Sequence, residues 1–293
     1  MARVSSRLSG NAPGDYFVDA SCIDCETCRT VAPEVFAYSA RHGLSVVGRQ
    51  PRTDAEARRA RMALVSCPTS AIGTESKVDL RDAIDGLPDP IADDVCYCGY
   101  ASESSYGAAS YLIRREAGNV LVDSPRAARP LMDRIASLGG VATMFLSHRD
   151  DVADHAAYAR RFGCARVLHA SDVTSGTREV ETQLAGSDPV ALAPDLLAIP
   201  VPGHTRGSVA LLYRNEFLFS GDHLWGGGAE DPEGLEAGRG VCRYSWAEQT
   251  RSMEKLLGFD FAWVLPGHGP RFHAPRARTR EALEQLVARM KAA

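Results

Sequence analysis

Four cysteines in the first quarter of the chain have the spacing of a metal cluster. Cys22, Cys25 and Cys28 stand three apart in CIDCETC, and Cys67 follows at the end of ALVSC, just before Pro68. Three thiolates from one tight loop reach three corners of a cubane, and a distant cysteine supplies the fourth. No cysteine stands three or four residues after Cys28, where Val31 to Pro33 lie, so the loop provides for a single cluster. The competing readings are a zinc site, which usually wants two paired Cys-x2-Cys knuckles, and plain buried thiols. A second set of residues combines imidazole with carboxylate. LSHRDDVADH spans 146–155, and PGHT (Pro202 to Thr205), SGD (Ser220 to Asp222) and PGHG (Pro266 to Gly269) each follow an apolar run. Such donors suit zinc, iron or manganese, and loops at strand ends can converge while the sheets stay rigid. A lone histidine is more often a hydrogen-bonded structural residue; four such pieces in register point to one site. The two sets together suggest an iron-sulfur electron carrier joined to a binuclear metal centre.

The elements that must position these residues are legible as hydrophobic periodicity. Before residue 79 the pattern predicts a short helical stretch around Val35 and Phe36, a strand at Leu44 to Val47 and a helix from Asp54 to Val65, a small α+β unit. Residues 79–95, DLRDAIDGLPDPIADDV, are acidic and proline-bearing and read as a linker. Beyond it, SYLIRRE, NVLVD, ATMFLSH, ARVLHAS, SVALLYR and EFLFSGD read as strands, alternating with helical patterns at Pro130 to Leu138, Asp154 to Phe162 and Trp246 to Leu257. Polar chemistry collects where the strands near Leu146, Ile199, Phe219 and Leu265 end, as it commonly does in α/β sites. The expected domains are 1–85 and 96–293.

Composition bounds the function. A length of 293 residues allows two domains, and 45% hydrophobic with 24% charged residues is ordinary for globular proteins. A formal charge of -4 and a pI near 6.1 argue against nucleic acid or an anionic membrane as the main partner, leaving a small-molecule substrate. The opening MARVSSRLSGNAPGDYFVDA has no apolar stretch of signal-peptide length, and no later segment approaches a membrane span, so a cytoplasmic location is expected. Eight cysteines without a secretion signal read as thiolate ligands or free thiols.

The first 78 residues resemble the single-cluster bacterial ferredoxins, with the motif matched by CIDCETC and ALVSCPTSAI. The resemblance implies one [4Fe-4S] cluster on Cys22, Cys25, Cys28 and Cys67, one-electron transfer and room for a redox partner protein; Cys25 is the ligand that favours four irons over three. Residues 96–293 resemble the metallo-β-lactamase superfamily, which includes glyoxalase II, persulfide dioxygenases, lactonases and flavodiiron proteins. That resemblance implies an αββα sandwich with the site at the strand ends, so the fold class expected for the whole chain is α+β, a ferredoxin-like domain followed by that sandwich. Asp123 in NVLVDS matches the family's first acidic motif, His204 the third-motif ligand, Asp222 the bridging carboxylate and His268 the last ligand. The second motif departs from the family's His-x-His-x-Asp-His: its second histidine is missing, and both ends fit only with two residues inserted. On this basis two divalent ions, zinc or iron, are expected. His148, Asp150, His204 and Asp222 would hold one; Asp154, His155, His268 and Asp222 the other. Asp151 could stand in for Asp150, and either aspartate could instead cap a helix beginning near Val152.

Two reaction classes follow. A hydrolase of thioesters, esters or lactones would use a metal-activated water, with Asp222 bridging and Asp154 orienting the nucleophile. A diiron oxidoreductase or oxygenase would draw electrons from its own cluster. A third class, a cluster-bearing sensor or assembly protein with a vestigial site, rests on fold alone. His169 reads as structural, His42 and His273 as solvated, and His223 and Arg206 as pocket or rim residues. Cys96 and Cys98 read as packing residues, and Cys164 and Cys242 carry no signal. Gly226 to Gly240 reads as a mobile loop over the site. Oligomeric state is left open.

Overall fold

In the computed structural model, which describes residues 2–228 and 231–292, the helix leading to the fourth cysteine is set by its sequence at both ends. It runs from Asp54 to Ser66. The Thr53 hydroxyl accepts from Glu56 N at 3.2 Å, and the Glu56 carboxylate accepts from Arg52 N at 2.7 Å. This is a variant of the capping box, with Asp54 and Glu56 also favouring the positive end of the helix. Pro68 cannot continue the helix, so Cys67 is delivered just past its last turn.

The chain divides into two compact units, at places other than the expected boundary. The first comprises Met1–Ala142 and Ala153–Cys164, the second Thr143–Val152 and Ala165–Ala293. Residues 79–95 are not an open linker within the first unit. They form the helix Arg81–Asp85 and the strand Asp89–Ala92. The physical reason is that Ala83 and Leu87 are buried despite the acidic setting, and the Asp89 carboxylate accepts from Arg59 at 2.5 Å.

In the first unit, Tyr16–Val18 pairs antiparallel with Ile72–Thr74, and Phe36–Ser39 with Leu44–Val47. The expected helix at Val35 and Phe36 is displaced: the helix is Thr27–Val31, and Phe36 opens a strand. Four strands then follow as an antiparallel meander, Asp89–Ala92, Val95–Tyr97, Tyr111–Ile113 and Val120–Val122. The helices Arg129–Ser137 and His155–Phe162 complete the unit.

The second unit holds three parallel strands, Thr143–Phe145, Ala165–His169 and Thr182–Leu184. Its larger sheet has the order Val190–Ala193, Leu196–Pro200, Val209–Tyr213, Phe217–Gly221, Trp263–Pro266 and Phe272–His273. Val209–Tyr213 and Phe217–Gly221 are buried along their whole length, which explains their apolar runs VALLY and FLF. Ile199, Ala210, Leu212, Leu218 and Val264 pack with Met253 and Leu256 of helix Trp246–Leu256 and with Leu283, Leu286 and Met290 of helix Arg276–Ala292. Within this sheet Phe217–Gly221 and Trp263–Pro266 run parallel, with Phe219 opposite Leu265. Parallel neighbours end on the same sheet edge, so Asp222 and His268 emerge side by side. The segment expected as a mobile loop is a short hairpin in its described part, Trp225–Gly226 against Leu235–Glu236; Ala229 and Glu230 lie outside the described residues. Among the described residues no helix is long and apolar enough to cross a membrane.

Replacing Thr53 with alanine removes the hydroxyl that caps the helix and should cost about 1 kcal/mol of stability. A lowered denaturation midpoint at unchanged slope is the expected result, and Thr53→Ser should restore it.

Candidate metal centres

The histidine and aspartate centre is assembled from four strand ends of the second unit. His148 follows strand Thr143–Phe145, and Ser147 O accepts from Val209 N at 2.8 Å, which ties that strand to the larger sheet. His204 sits in the turn after Leu196–Pro200, and Gly267 N donates to Gly221 O at 3.0 Å, keeping the Asp222 and His268 turns in step. A Cβ on Gly267 would lie 2.7 Å from Asp151 Oδ2 and 2.8 Å from Asp222 Oδ1, so only glycine lets the backbone pass this close to both carboxylates.

Donor atoms gather about His148 in two overlapping sets, one with Asp150 and His204 and one with Asp151 and Asp222. Asp222 Oδ2 is 3.7 Å from both His148 Nε2 and His204 Nε2, and Asp150 Oδ2 is 3.5 Å from His204 Nε2 and 4.0 Å from His148 Nε2. Nitrogen and oxygen ligands about 2.0–2.2 Å from a tetrahedral ion stand roughly 3.3–3.6 Å apart, close to these separations. His148 Nε2, His204 Nε2 and Asp150 Oδ2 are buried and have no hydrogen-bond partner. Buried polar atoms are rarely left so, and these aim at one another, as the donor set of a metal ion does. Ser147 Oγ meets His148 Nδ1 at 3.0 Å, fixing the ring with Nε2 turned inward.

Electrostatics keep these groups in ligand form. Burial pushes the His148 imidazole down to about 4, so it is neutral at physiological pH. The neighbouring His204 imidazole holds Asp150 below its ordinary value. Burial alone would raise Asp222, but the imidazoles of His268, His148 and His204 outweigh it and keep it ionised. His268 Nδ1 lies 2.8 Å from Asp222 Oδ1.

Asp154 and His155 are placed differently from the expected ligand set. Among the described residues, the groups whose donor atoms lie within 4.8 Å of one another are His148, Asp150, His204 and His148, Asp151, Asp222; Asp154 and His155 belong to neither. Both fall in the first unit, where Asp154 Oδ2 accepts from Ala127 N at 2.7 Å and His155 opens a helix. That helix starts too late for Asp150 or Asp151 to cap it. Asp123 follows strand Val120–Val122, buried, with a left-handed backbone at φ 55°. His169 is structural: its Nδ1 accepts from Ser171 N, and its Nε2 is 3.1 Å from Gly186 O.

Sequence reasoning missed Asp172. It is buried, and it accepts from Arg149 N at 3.0 Å, Gly207 N at 2.8 Å and the Thr205 hydroxyl at 2.5 Å. One carboxylate thus binds the loop carrying His148 to the loop carrying His204. Its only signal is VLHASD, another acid soon after an apolar strand.

The cysteine centre lies in the first unit. Cys22, Cys25, Cys28 and Cys67 line one cavity with Val18, Ile23, Pro68 and Ile72. Asp24 and Glu26 take left-handed backbone angles between the cysteines, winding the loop so that the thiols face inward. Asp24 N donates to Cys22 Sγ at 3.5 Å and Ala71 N to Cys67 Sγ at 3.3 Å, contacts that stabilise thiolate charge. Burial pushes Cys25 up to about 11 and Cys28 up to about 12, so these thiols ionise at neutral pH only when a metal displaces the proton. Among the described residues no three of these sulfurs fall within 4.8 Å of one another, too open for one zinc ion, whose sulfurs stand about 3.8 Å apart. The donors fit a cluster. Gly107 closes the cavity: a Cβ there would lie 2.4 Å from Cys25 Cβ, and the Thr27 hydroxyl donates to Gly107 O at 3.1 Å.

Comparison with known proteins bears on both centres. Residues 18–74 match the 4Fe-4S single cluster domain of Ferredoxin I. A hydroxyacylglutathione hydrolase of Anaeromyxobacter dehalogenans is 34% identical over 193 residues, covering 61% of this chain and 68% of the relative. A hydroxyacylglutathione hydrolase of a Synechococcus strain is 31% identical over 125 residues, or 40% of this chain, which spans about half (49%) of that relative's length. The crystal structure of the DIM-1 metallo-β-lactamase superposes with a TM-score of 0.50 at 16% identity, over 67% of this chain and 95% of that one. At that identity the likeness concerns the fold.

Asp172→Asn should weaken metal binding by about 10–100-fold in a competition with a chromophoric chelator; unchanged affinity would mean that the two loops hold themselves. The metal-stripped protein should lose stability as pH falls from 6.5 towards 4. Burial lowers His148 to about 4 and His223 to about 3, so the unfolded chain binds protons the folded one excludes. The loss is about 2 kcal/mol per histidine at pH 5, and a melting temperature that is flat across this range would contradict it.

Proposed function

We propose that this chain, which belongs to the metallo-β-lactamase superfamily and carries a single-cluster 4Fe-4S domain, is a metal-dependent hydrolase of thioesters. The observation that carries the reading is the grouping of His148, Asp150 and His204 donors within 4.8 Å of one another, with Asp222 Oδ2 3.7 Å from both imidazoles, residues that would hold a divalent ion. A bound divalent ion supplies Lewis acidity, lowering the pKa of water and polarising a carbonyl oxygen. His148 contributes a neutral donor, Asp222 stays ionised, and Asp150, whose side chain is 32% exposed, is the member with a path to solvent.

The choice of thioester rests on the leaving group. A thiol has an ordinary pKa of about 8.5, so a thiolate departs without an acid to protonate it, whereas an alkoxide needs one. The buried His148 and His223 hold no proton to give at neutral pH, being pushed down to about 4 and about 3. The hydroxyacylglutathione hydrolases that the chain resembles are named for a substrate of this bond type. A second reading, an iron-dependent oxidoreductase fed by the cluster, is favoured by one observation: a carboxylate, Asp150, stands 3.5 Å from His204 Nε2 where the family pattern has a second histidine.

Turnover of a thioester panel without added reductant, faster than of matched esters and lactones, is the expected outcome; turnover that requires both dithionite and oxygen would favour the second reading. His204→Ala should lower kcat/KM by more than about 100-fold, the range for lost supporting contacts, while the visible absorbance of the cluster stays unchanged.

A further inference from the structure

The two metal-competent groups divide the consecutive residues Asp150 and Asp151 between them. Asp150 Oδ2 lies 4.0 Å from the Nε2 edge of the His148 ring, and Asp151 Oδ2 lies 3.9 Å from its Nδ1 edge. The carboxylates therefore stand on different edges of one imidazole. Asp222 is divided in the same sense, with Oδ2 3.7 Å from His148 Nε2 and His204 Nε2 and Oδ1 2.8 Å from His268 Nδ1. A Cβ on Gly267 would come within 2.8 Å of both Asp151 Oδ2 and Asp222 Oδ1, so these oxygens face one small space that a single methyl group would fill.

From this we infer that Asp150 and Asp151 serve different metal positions: Asp150 joins His148, His204 and Asp222 Oδ2 at the first, and Asp151 joins Asp222 Oδ1 and His268 at the second. The proposal rests on the metal-dependent reading above. It removes Asp154 and His155 from the ligand set. Asp154 spends one carboxylate oxygen on Ala127 N at 2.7 Å, and among the described residues neither Asp154 nor His155 joins a group of donors within 4.8 Å of one another. The two residues that lengthen the second motif thus shift the ligand role from its far end to its middle. The first position pairs two imidazoles with two carboxylates, while the second is richer in oxygen and should favour manganese or iron over zinc more strongly than the first does.

The test is metal stoichiometry, which is read without any substrate. Full-length protein would be stripped with a chelator that spares the cluster, then titrated with Mn²⁺ under equilibrium dialysis and followed by electron paramagnetic resonance. The wild type should bind two Mn²⁺ with an exchange-coupled signal, Asp151→Asn and Gly267→Ala one Mn²⁺ with an uncoupled signal, and Asp154→Asn two. Intact cluster absorbance reports that each variant is folded, and Gly267→Ala tests the second position without touching a ligand. One Mn²⁺ in the wild type, two in both Asp151→Asn and Gly267→Ala, or one in Asp154→Asn would each overturn the assignment. Absence of thioesterase activity beside these counts would count against the hydrolase reading alone.

Discussion

The second unit is organised around one partly buried carboxylate, Asp222, whose two oxygens face different histidines. An ionised carboxylate in such a place is costly unless positive charge or strong donors surround it. His268, from the turn after strand Trp263–Pro266, answers it at 2.8 Å, while His148 and His204, from the turns after Thr143–Phe145 and Leu196–Pro200, stand 3.7 Å from its other oxygen, where a metal ion would complete the balance. Much of the local architecture serves this meeting. The parallel pairing of Phe217–Gly221 with Trp263–Pro266 sets Asp222 beside His268, and Gly267 clears the space between them. Asp172 locks the loops carrying His148 and His204, using backbone amides that a change of side chain cannot remove.

The cysteine centre meets the same problem with softer donors. Burial pushes the Cys25 and Cys28 thiols well above their ordinary range, so the loop is built for metal and not for free thiolate chemistry. The capped helix Asp54–Ser66 brings the distant ligand to the loop, and Gly107, from beyond the ferredoxin-like segment, seals the cavity. That contact ties the ferredoxin-like residues to the meander that follows them within the first compact unit.

Legibility in the sequence followed the range of the interaction. Strand Leu44–Val47 and helices Asp54–Ser66 and Trp246–Leu256 stand within a residue of expectation because their caps and periodicity are local. The four cysteines and the turns of His204, Asp222 and His268 could be read from short motifs. Asp172 could not, since its partners Arg149, Thr205 and Gly207 come from two distant segments. The lengthened second motif was less legible for a related reason: spacing alone does not show which of its three acids, Asp150, Asp151 and Asp154, turns towards the histidines. Buried Ala83 and Leu87 were masked by the charges around them, and the C-terminal helix Arg276–Ala292 went unread although Leu283, Leu286, Val287 and Met290 carry its spacing between arginines.

The central claim is that a divalent ion sits among imidazoles and carboxylates, apart from the cysteines. Zinc K-edge X-ray absorption on chelator-stripped, zinc-reloaded protein tests it most directly, because the iron of the cluster is silent at that edge. Nitrogen and oxygen scatterers at about 2.0–2.2 Å with the outer shells of imidazole are the expected result. A sulfur shell at about 2.3 Å would contradict it, placing the ion on Cys22, Cys25, Cys28 and Cys67 instead.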